Sequence, residues 1–320
     1  MKSIATFIAQ KRGILLALGI ILLALYTITP QINRLDDSID ALQRANLLWV
    51  IAGTLVFFLS TVSLGIQYLL LAFHPIKLYT TIRVQIAGLF VSKLLPGSLG
   101  TISLNYYFLY KNHHKGTEAG TVMAVNGITT NIAFNFLILF ALFLSNDAVN
   151  AAVSDASIPF TSIIFVLSLL LLAISLIIKY TGLKHRIRRI LIELKNNILS
   201  YKNRPMSLIW AIILNGFSTF CSVFALYASA HALGVNIGAT QAFVAYVLMN
   251  VAVGALPTPG GIGAAEAGIY TALTLLGIDS VSALSVTVLF RFITYWLAML
   301  VGYISFASLR KDVLSSFRIK

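Results

Sequence analysis

Acidic side chains are scarce in this chain: Asp and Glu number 10 among 320 residues, and all charged residues make up only 10%. Ordinary soluble domains carry about 25% charged residues, so a conventional solvated surface is excluded. The single Cys221 lies inside an apolar run, which excludes a disulfide framework within the chain and leaves the redox compartment unread. Histidines number five, and His113 and His114 fall in a polar stretch with Lys111 and Lys115 that reads as an exposed loop. No group of His, Cys, Asp or Glu has metal-ligand spacing, so neither a metal nor a cofactor is expected. There is also no His-x-His, no carboxylate pair and no triad pattern beside the glycine-rich stretches, so the expectation is not an enzyme.

Apolar sequence fills the space that charge leaves. The chain is 58% hydrophobic, with a mean hydropathy of +0.90. A helix needs roughly 20 apolar residues to cross a bilayer. Six segments meet that need: 13–29, 47–73, 119–144, 158–178, 208–233 and 281–306. The fold class is therefore all-α, a polytopic membrane protein forming one integral membrane domain over 1–320. The start has the charge order of a signal peptide but no small-x-small cleavage site, so it reads as a retained first span.

Net charge is +13, and its placement decides its meaning. Lys179, Lys184, Arg186, Arg188, Arg189, Lys195, Lys202 and Arg204 crowd the loop 179–207 against one acid, Glu193. Further basic residues lie at Lys2, Lys11 and Arg12 and at Arg310, Lys311, Arg318 and Lys320. By the positive-inside rule these segments, including both termini, are expected on the cytoplasmic side of the cell (inner) membrane. Loops 30–46 and 145–157 lean acidic and are expected outside. Nucleic acid is not an expected partner, because the charge follows topology. Within the basic loop, Ile187, Ile190, Leu191, Leu194 and Ile198 are spaced as in an amphipathic helix on an anionic leaflet, though a plain topological loop reads equally well.

Two short stretches read almost as one: Pro96-Gly97-Ser98-Leu99-Gly100 and Pro259-Gly260-Gly261-Ile262-Gly263, separated by 163 positions. The same shift superposes the long apolar runs around them, giving a first repeat over 47–144 and a second over 208–306. Such breaks are tolerated in membrane segments only for a structural reason. Charge topology sends 84–110 in and out from the cytoplasmic face and 241–277 from the opposite face. The expected architecture is six full spans plus two broken re-entrant hairpins arranged as an inverted repeat, a pattern tied to transport sites at the midplane.

A broken hairpin exposes the positive end of a half-helix, which attracts anions. The candidate substrate-binding residues are therefore Pro96, Gly97, Ser98, Gly100, Thr101 and Ser103 at the first break, and Pro259, Gly260, Gly261, Gly263 and Glu266 at the second. Lys93, just before the first break, and Arg291, in the last span, add cations where ionisable residues are expensive. Lys93 reads as a phosphate ligand, a member of an internal ion pair or a snorkelling side chain. Glu266 reads as a structural partner of Arg291 or Lys93, or as a gate. Asn126, Thr129, Thr130, Asn131 and Asn135 form a polar stripe, for interhelical hydrogen bonds or for lining a path.

The forms L-P-G-x-L-G around Pro96 and P-T-P-G-G-I-G-x-x-E over Pro257–Glu266 resemble those of the lysylphosphatidylglycerol synthase transmembrane region, a flippase-like domain family. The resemblance covers nearly the whole chain. It implies an inner-membrane protein that moves polar, phosphate-bearing or glycosylated lipids between leaflets, with membrane lipids as partners and an envelope-lipid enzyme as a further possible one. Two departures stand out. The sequence ends at Lys320 after a short basic tail, so synthase activity is not expected. Uncharged Thr101-Ile102-Ser103-Leu104-Asn105 follows the first motif where relatives have an acid and then an arginine. The resulting expectation is a lipid translocase; the alternatives are a scaffold or accessory subunit of an envelope-lipid pathway, or a head-group enzyme.

Overall fold

The computed structural model describes residues 42–95, 98–144, 184–256 and 258–314. The expected spans 13–29 and 158–178, and Pro96, Gly97 and Pro257, lie outside the described residues. Everything described is helix, turn or short loop, with no extended strand.

Among the described residues ten α-helices follow in order: α1 Leu47–Leu71, α2 Leu78–Leu94, α3 Leu99–Lys111, α4 Gly116–Leu144, α5 Lys184–Ser200, α6 Pro205–Ala232, α7 Ala239–Ala255, α8 Ala264–Leu275, α9 Ser280–Arg291 and α10 Ala298–Leu314. A π-helical turn, Phe292–Leu297, joins α9 to α10. Among the described residues four stretches are long and apolar enough to cross a membrane: Leu47–Leu71, Gly116–Phe140, Pro205–Ala232 and Ser280–Leu309. They coincide with four of the six expected spans.

The repeat is visible in the helix bounds. Shifted by 163, α2 falls on 241–257, against Ala239–Ala255 for α7, and α3 on 262–274, against Ala264–Leu275 for α8. Each long–short–short–long series thus recurs. α2 begins at Leu78, earlier than the expected start at 84, because Arg83 is held within the helix. Its Nη2 donates to Ser308 Oγ at 2.7 Å, and its guanidinium stands 5.4 Å from the Tyr79 ring centroid. At 1.5 Å per residue α2 and α7 reach about 26 Å and α3 and α8 about 20 Å or less, short of a hydrocarbon core of about 30 Å.

Contacts divide the described residues into two compact units: those within Met1–Phe57, Phe90–Gly100 and Ser222–Val301, and those within Phe58–Leu89, Thr101–Cys221 and Gly302–Lys320. In the first, small residues let helices touch. A Cβ on Gly268 of α8 would lie 2.9 Å from Met249 Cα and 3.0 Å from Ala252 Cβ, and one on Gly53 of α1 would lie 3.0 Å from Ala228 Cβ. This small-residue contact is how membrane helices associate when lipid supplies no hydrophobic drive between them.

The second unit holds a core of Tyr68, Leu71, Val84, Ala87, Leu109, Ala119, Val122 and Tyr201. Above that core a polar network crosses three helices. Gln67 Nε2 donates to Asn126 Oδ1 at 2.7 Å, Thr130 Oγ1 donates to Asn215 Oδ1 at 3.0 Å, and Asn215 Nδ2 donates to Thr129 Oγ1 at 3.2 Å. The sequence-predicted stripe therefore splits. Asn126, Thr129 and Thr130 bond between helices. Asn131 and Asn135 turn back to the carbonyls of their own helix, each at 2.8 Å.

In the same unit α5 is a helix, as one of the two readings of the basic loop predicts, and Asn197 Nδ2 donates to Thr121 Oγ1 of α4 at 3.3 Å. Tyr201 and Arg204, just beyond α5, donate to the carbonyls of Leu71 and Ala72 at the end of α1.

His114 corrects an expectation. It is 2% exposed rather than part of a solvated loop. Its Nε2 accepts the amides of Phe73 and His74 at 3.1 and 3.2 Å, and its Nδ1 faces the carbonyls of Leu109 and Asn112 at 3.1 and 3.0 Å. Only the neutral tautomer protonated on Nδ1 satisfies both sides. The reason sequence misreads it is that the ring caps backbone beyond α1 from a distant loop. Burial holds the imidazole below its ordinary value. Below about pH 6.5 the unfolded chain takes up a proton that the native state resists, so stability from this contact is complete above that pH and declines as pH falls. Thermal unfolding in detergent should show an acid-side loss between pH 7 and 5 that is smaller in His114→Gln. An unchanged pH profile in the variant would count against the assignment.

Candidate functional site

The first unit brings Lys93, Gly260, Gly263, Glu266 and Arg291 together with Tyr295. Glu266 is the third residue of α8, and its Oε2 accepts the Gly263 N–H at 2.7 Å. This is the reach-back half of a capping box, with glycine at the cap. Gly263 has φ +83°, a left-handed conformation that favours glycine, and a Cβ there would meet nothing within 4 Å. Gly263 is therefore required by backbone conformation, not by crowding.

The other carboxylate oxygen, Oε1, accepts from Arg291 Nε at 2.7 Å. Arg291 is 8% exposed and ends α9, immediately before the π-turn. Its Nη2 donates to the Gly260 carbonyl at 3.3 Å, and its Cζ stands 4.6 Å from the Tyr295 ring centroid. Lys93 Nζ lies 5.1 Å from the same centroid. Both cations thus use one buried aromatic ring, an arrangement worth more in a desolvated place than in water. Among the described residues the Lys93 ammonium has no carboxylate within ion-pair distance.

Gly260 is required for a different reason from Gly263. A Cβ there would stand 2.6 Å from Tyr295 Cε2 and 3.0 Å from Lys93 Cδ, on a backbone with φ +62°. Gly100, the counterpart of Gly263 in the repeat, lies in the first turn of α3, and a Cβ on it would overlap the Val91 carbonyl. Identical letters in the two motifs thus answer different constraints.

Several of the amides at the second break, where an anion is expected, are already bonded. Gly261 N donates to Thr258 O, Ile262 N to Pro259 O and Ala265 N to Gly261 O, while Glu266 takes Gly263 N–H. The break closes on itself because its turns and the reach-back carboxylate satisfy these donors locally.

Ser98 is exposed beside the first break, and Pro259 is partly buried. Thr101 and exposed Ser103 belong to the second unit, where a Cβ on Gly88 would meet Thr101 Cγ2 at 3.5 Å. They are not among the residues gathered around Tyr295. Sequence reasoning missed Tyr295 itself. The available signal was its place four residues after Arg291, one helical turn along the same face. The π-turn, a feature often found at functional sites, carried no such signal.

An all-helical architecture with four helical stretches long and apolar enough to cross a membrane among the described residues defines a polytopic membrane protein. The sequence model of the lysylphosphatidylglycerol synthase TM region matches residues 13–302. The chain belongs to that family and is a multi-pass, membrane lipid-related protein. No curated protein matches the chain.

Removing the Glu266 carboxylate should loosen the second break. Glu266→Ala leaves the Gly263 amide and Arg291 without their acceptor, a loss of about 1–3 kcal/mol. Glu266→Gln keeps one acceptor and should lose less. Unfolding midpoints in detergent test this order, and equal midpoints for all three proteins would refute the clamp.

Proposed function

We propose that this protein moves a lipid with an anionic, phosphate-bearing head group between membrane leaflets. The observation that carries the reading is the Lys93 ammonium on the Tyr295 ring beside Arg291, with no carboxylate of its own among the described residues. Lys93 is partly buried, and a cation in an apolar segment is expensive unless something compensates it, which makes it a functional candidate. A lipid phosphate supplies that compensation while its tails stay in hydrocarbon.

The repeated long–short–short–long helix order supports alternating access by rocking of two similar halves. In this reading the chain has six spans, two re-entrant hairpins dipping from opposite faces and cytoplasmic termini in the inner membrane. It acts as a translocase without catalysing a reaction. Envelope lipids are its partners, together with an enzyme that makes them.

A scaffold reading has one observation in its favour: Glu266 holds Gly263 and Arg291 with both oxygens, which is structural work. The same observation argues against a gating role for Glu266.

Reconstituted liposomes test the proposal. Redistribution of fluorescent anionic phospholipid should be faster with protein than without, and Lys93→Gln should reduce that acceleration at least about tenfold, as expected when a charged contact of about 1.4 kcal/mol or more is lost. Lipid redistribution equal to that of protein-free liposomes across anionic and glycosylated lipids would overturn it in favour of a scaffold.

A further inference from the structure

α5 is fastened to the ends of two spans. A Cβ on Gly120 of α4 would meet Leu194 Cδ2 at 3.9 Å, and Asn197 Nδ2 donates to Thr121 Oγ1 at 3.3 Å. Gly120 and Thr121 lie just inside the start of the apolar stretch Gly116–Phe140. Beyond α5, Tyr201 donates to the Leu71 carbonyl at 2.5 Å and Arg204 to that of Ala72 at 3.3 Å, where the stretch Leu47–Leu71 ends. The Arg204 guanidinium also stands 5.4 Å from the Phe73 ring centroid and 5.5 Å from that of Tyr201. These ties hold α5 level with two span ends, where bilayer meets water.

The face turned away from α4 is mixed in character. At 3.6 residues per turn, Ile192 and Leu199 stand within about 20° of each other and opposite Leu194 and Asn197. They are 49% and 40% exposed, and exposed Lys195 and Asn196 flank them. This pair is not the stripe that the sequence assigns to a leaflet, since Leu194 of that stripe is spent on α4. At the same end of the unit Lys77, Lys111, Lys115 and Lys202 are exposed. Glu118 is engaged there by His74 at 3.1 Å and by the Lys115 amide at 2.8 Å, so it does little to offset them.

We infer that α5 is an interfacial helix that binds the anionic surface of the bilayer, with Ile192 and Leu199 set among the head groups and Lys195 and the neighbouring lysines on their negative charges. An anionic leaflet answers the apolar pair and the lysines together, because basic interfacial helices bury apolar side chains at the head-group boundary while attracting acidic lipid. A soluble acidic partner would match the lysines, but it would have to displace head groups to reach Ile192 and Leu199 at the span ends. The inference concerns the second unit and does not rest on the reading of the residues around Tyr295. Through Tyr201 and Arg204 the lipid-bound helix braces the end of α1.

Full-length protein in lipid nanodiscs tests this, the discs being phosphatidylcholine alone or with about 30% phosphatidylserine. A nitrobenzoxadiazole label on Leu199→Cys, in a Cys221→Ser background, should emit further to the blue in the anionic discs. Nitroxide-bearing lipids should quench it there at least about twofold more than a label on Glu193→Cys. Replacing Lys195 and Lys202 by Gln, or raising salt to about 0.5 M, should remove the difference between the two discs. In the unsubstituted chain, amide exchange over α5 should slow at least about threefold in the anionic discs, a reading that no misfolded variant can spoil. A Leu199 label reached by a water-soluble nitroxide but not by the lipid nitroxides, in both discs, would overturn the inference and reassign the face to a soluble partner. Equal lipid quenching and equal amide exchange in the two discs would overturn the role of the lysines.

Discussion

The Glu266 carboxylate ties together three constraints that otherwise have nothing in common. One oxygen closes the first turn of α8 through the Gly263 amide, and the other holds the guanidinium at the end of α9. Arg291 in turn reaches the Gly260 carbonyl in the break itself. A helix break inside apolar surroundings needs every freed backbone group satisfied. Here one side chain and three left-handed glycines, Gly260, Gly261 and Gly263, shape the break and satisfy several of those groups locally.

The same bonds bear on how the cations are presented. Arg291 is anchored twice, so its ring contact with Tyr295 is geometrically determined. Lys93 comes from a different helix and meets the same ring with a flexible stem. The ring thus carries one fixed and one adjustable cation. Tyr295 itself is 6% exposed, while the Glu266 side chain is 39% exposed.

The two halves of the repeat share element order but not local physics. In the second, Gly263 is demanded by its left-handed φ. In the first, Gly100 is demanded by the Val91 carbonyl, against which no side chain fits. Likewise Glu266 falls at the place where the first half has uncharged Ser103. The helix order recurs, and the charged side chains gather on one of the two series.

Composition and periodicity by themselves determined the membrane class, four of the spans that the structure describes, and the repeat with its paired short helices, because apolar length and a recurring Pro-Gly spelling are local properties. The sequence also singled out Lys93, Glu266 and Arg291, since charges in apolar runs stand out wherever they lie. Only the tertiary structure decided which of them pair. The Glu266–Arg291 bond, the Lys93–Tyr295 contact and the burial of His114 join residues distant in the chain, and no spacing rule encodes such meetings. The same holds for the break's amides: sequence places them at a helix start, but only the folded turn shows those of Gly261, Ile262, Gly263 and Ala265 already bonded.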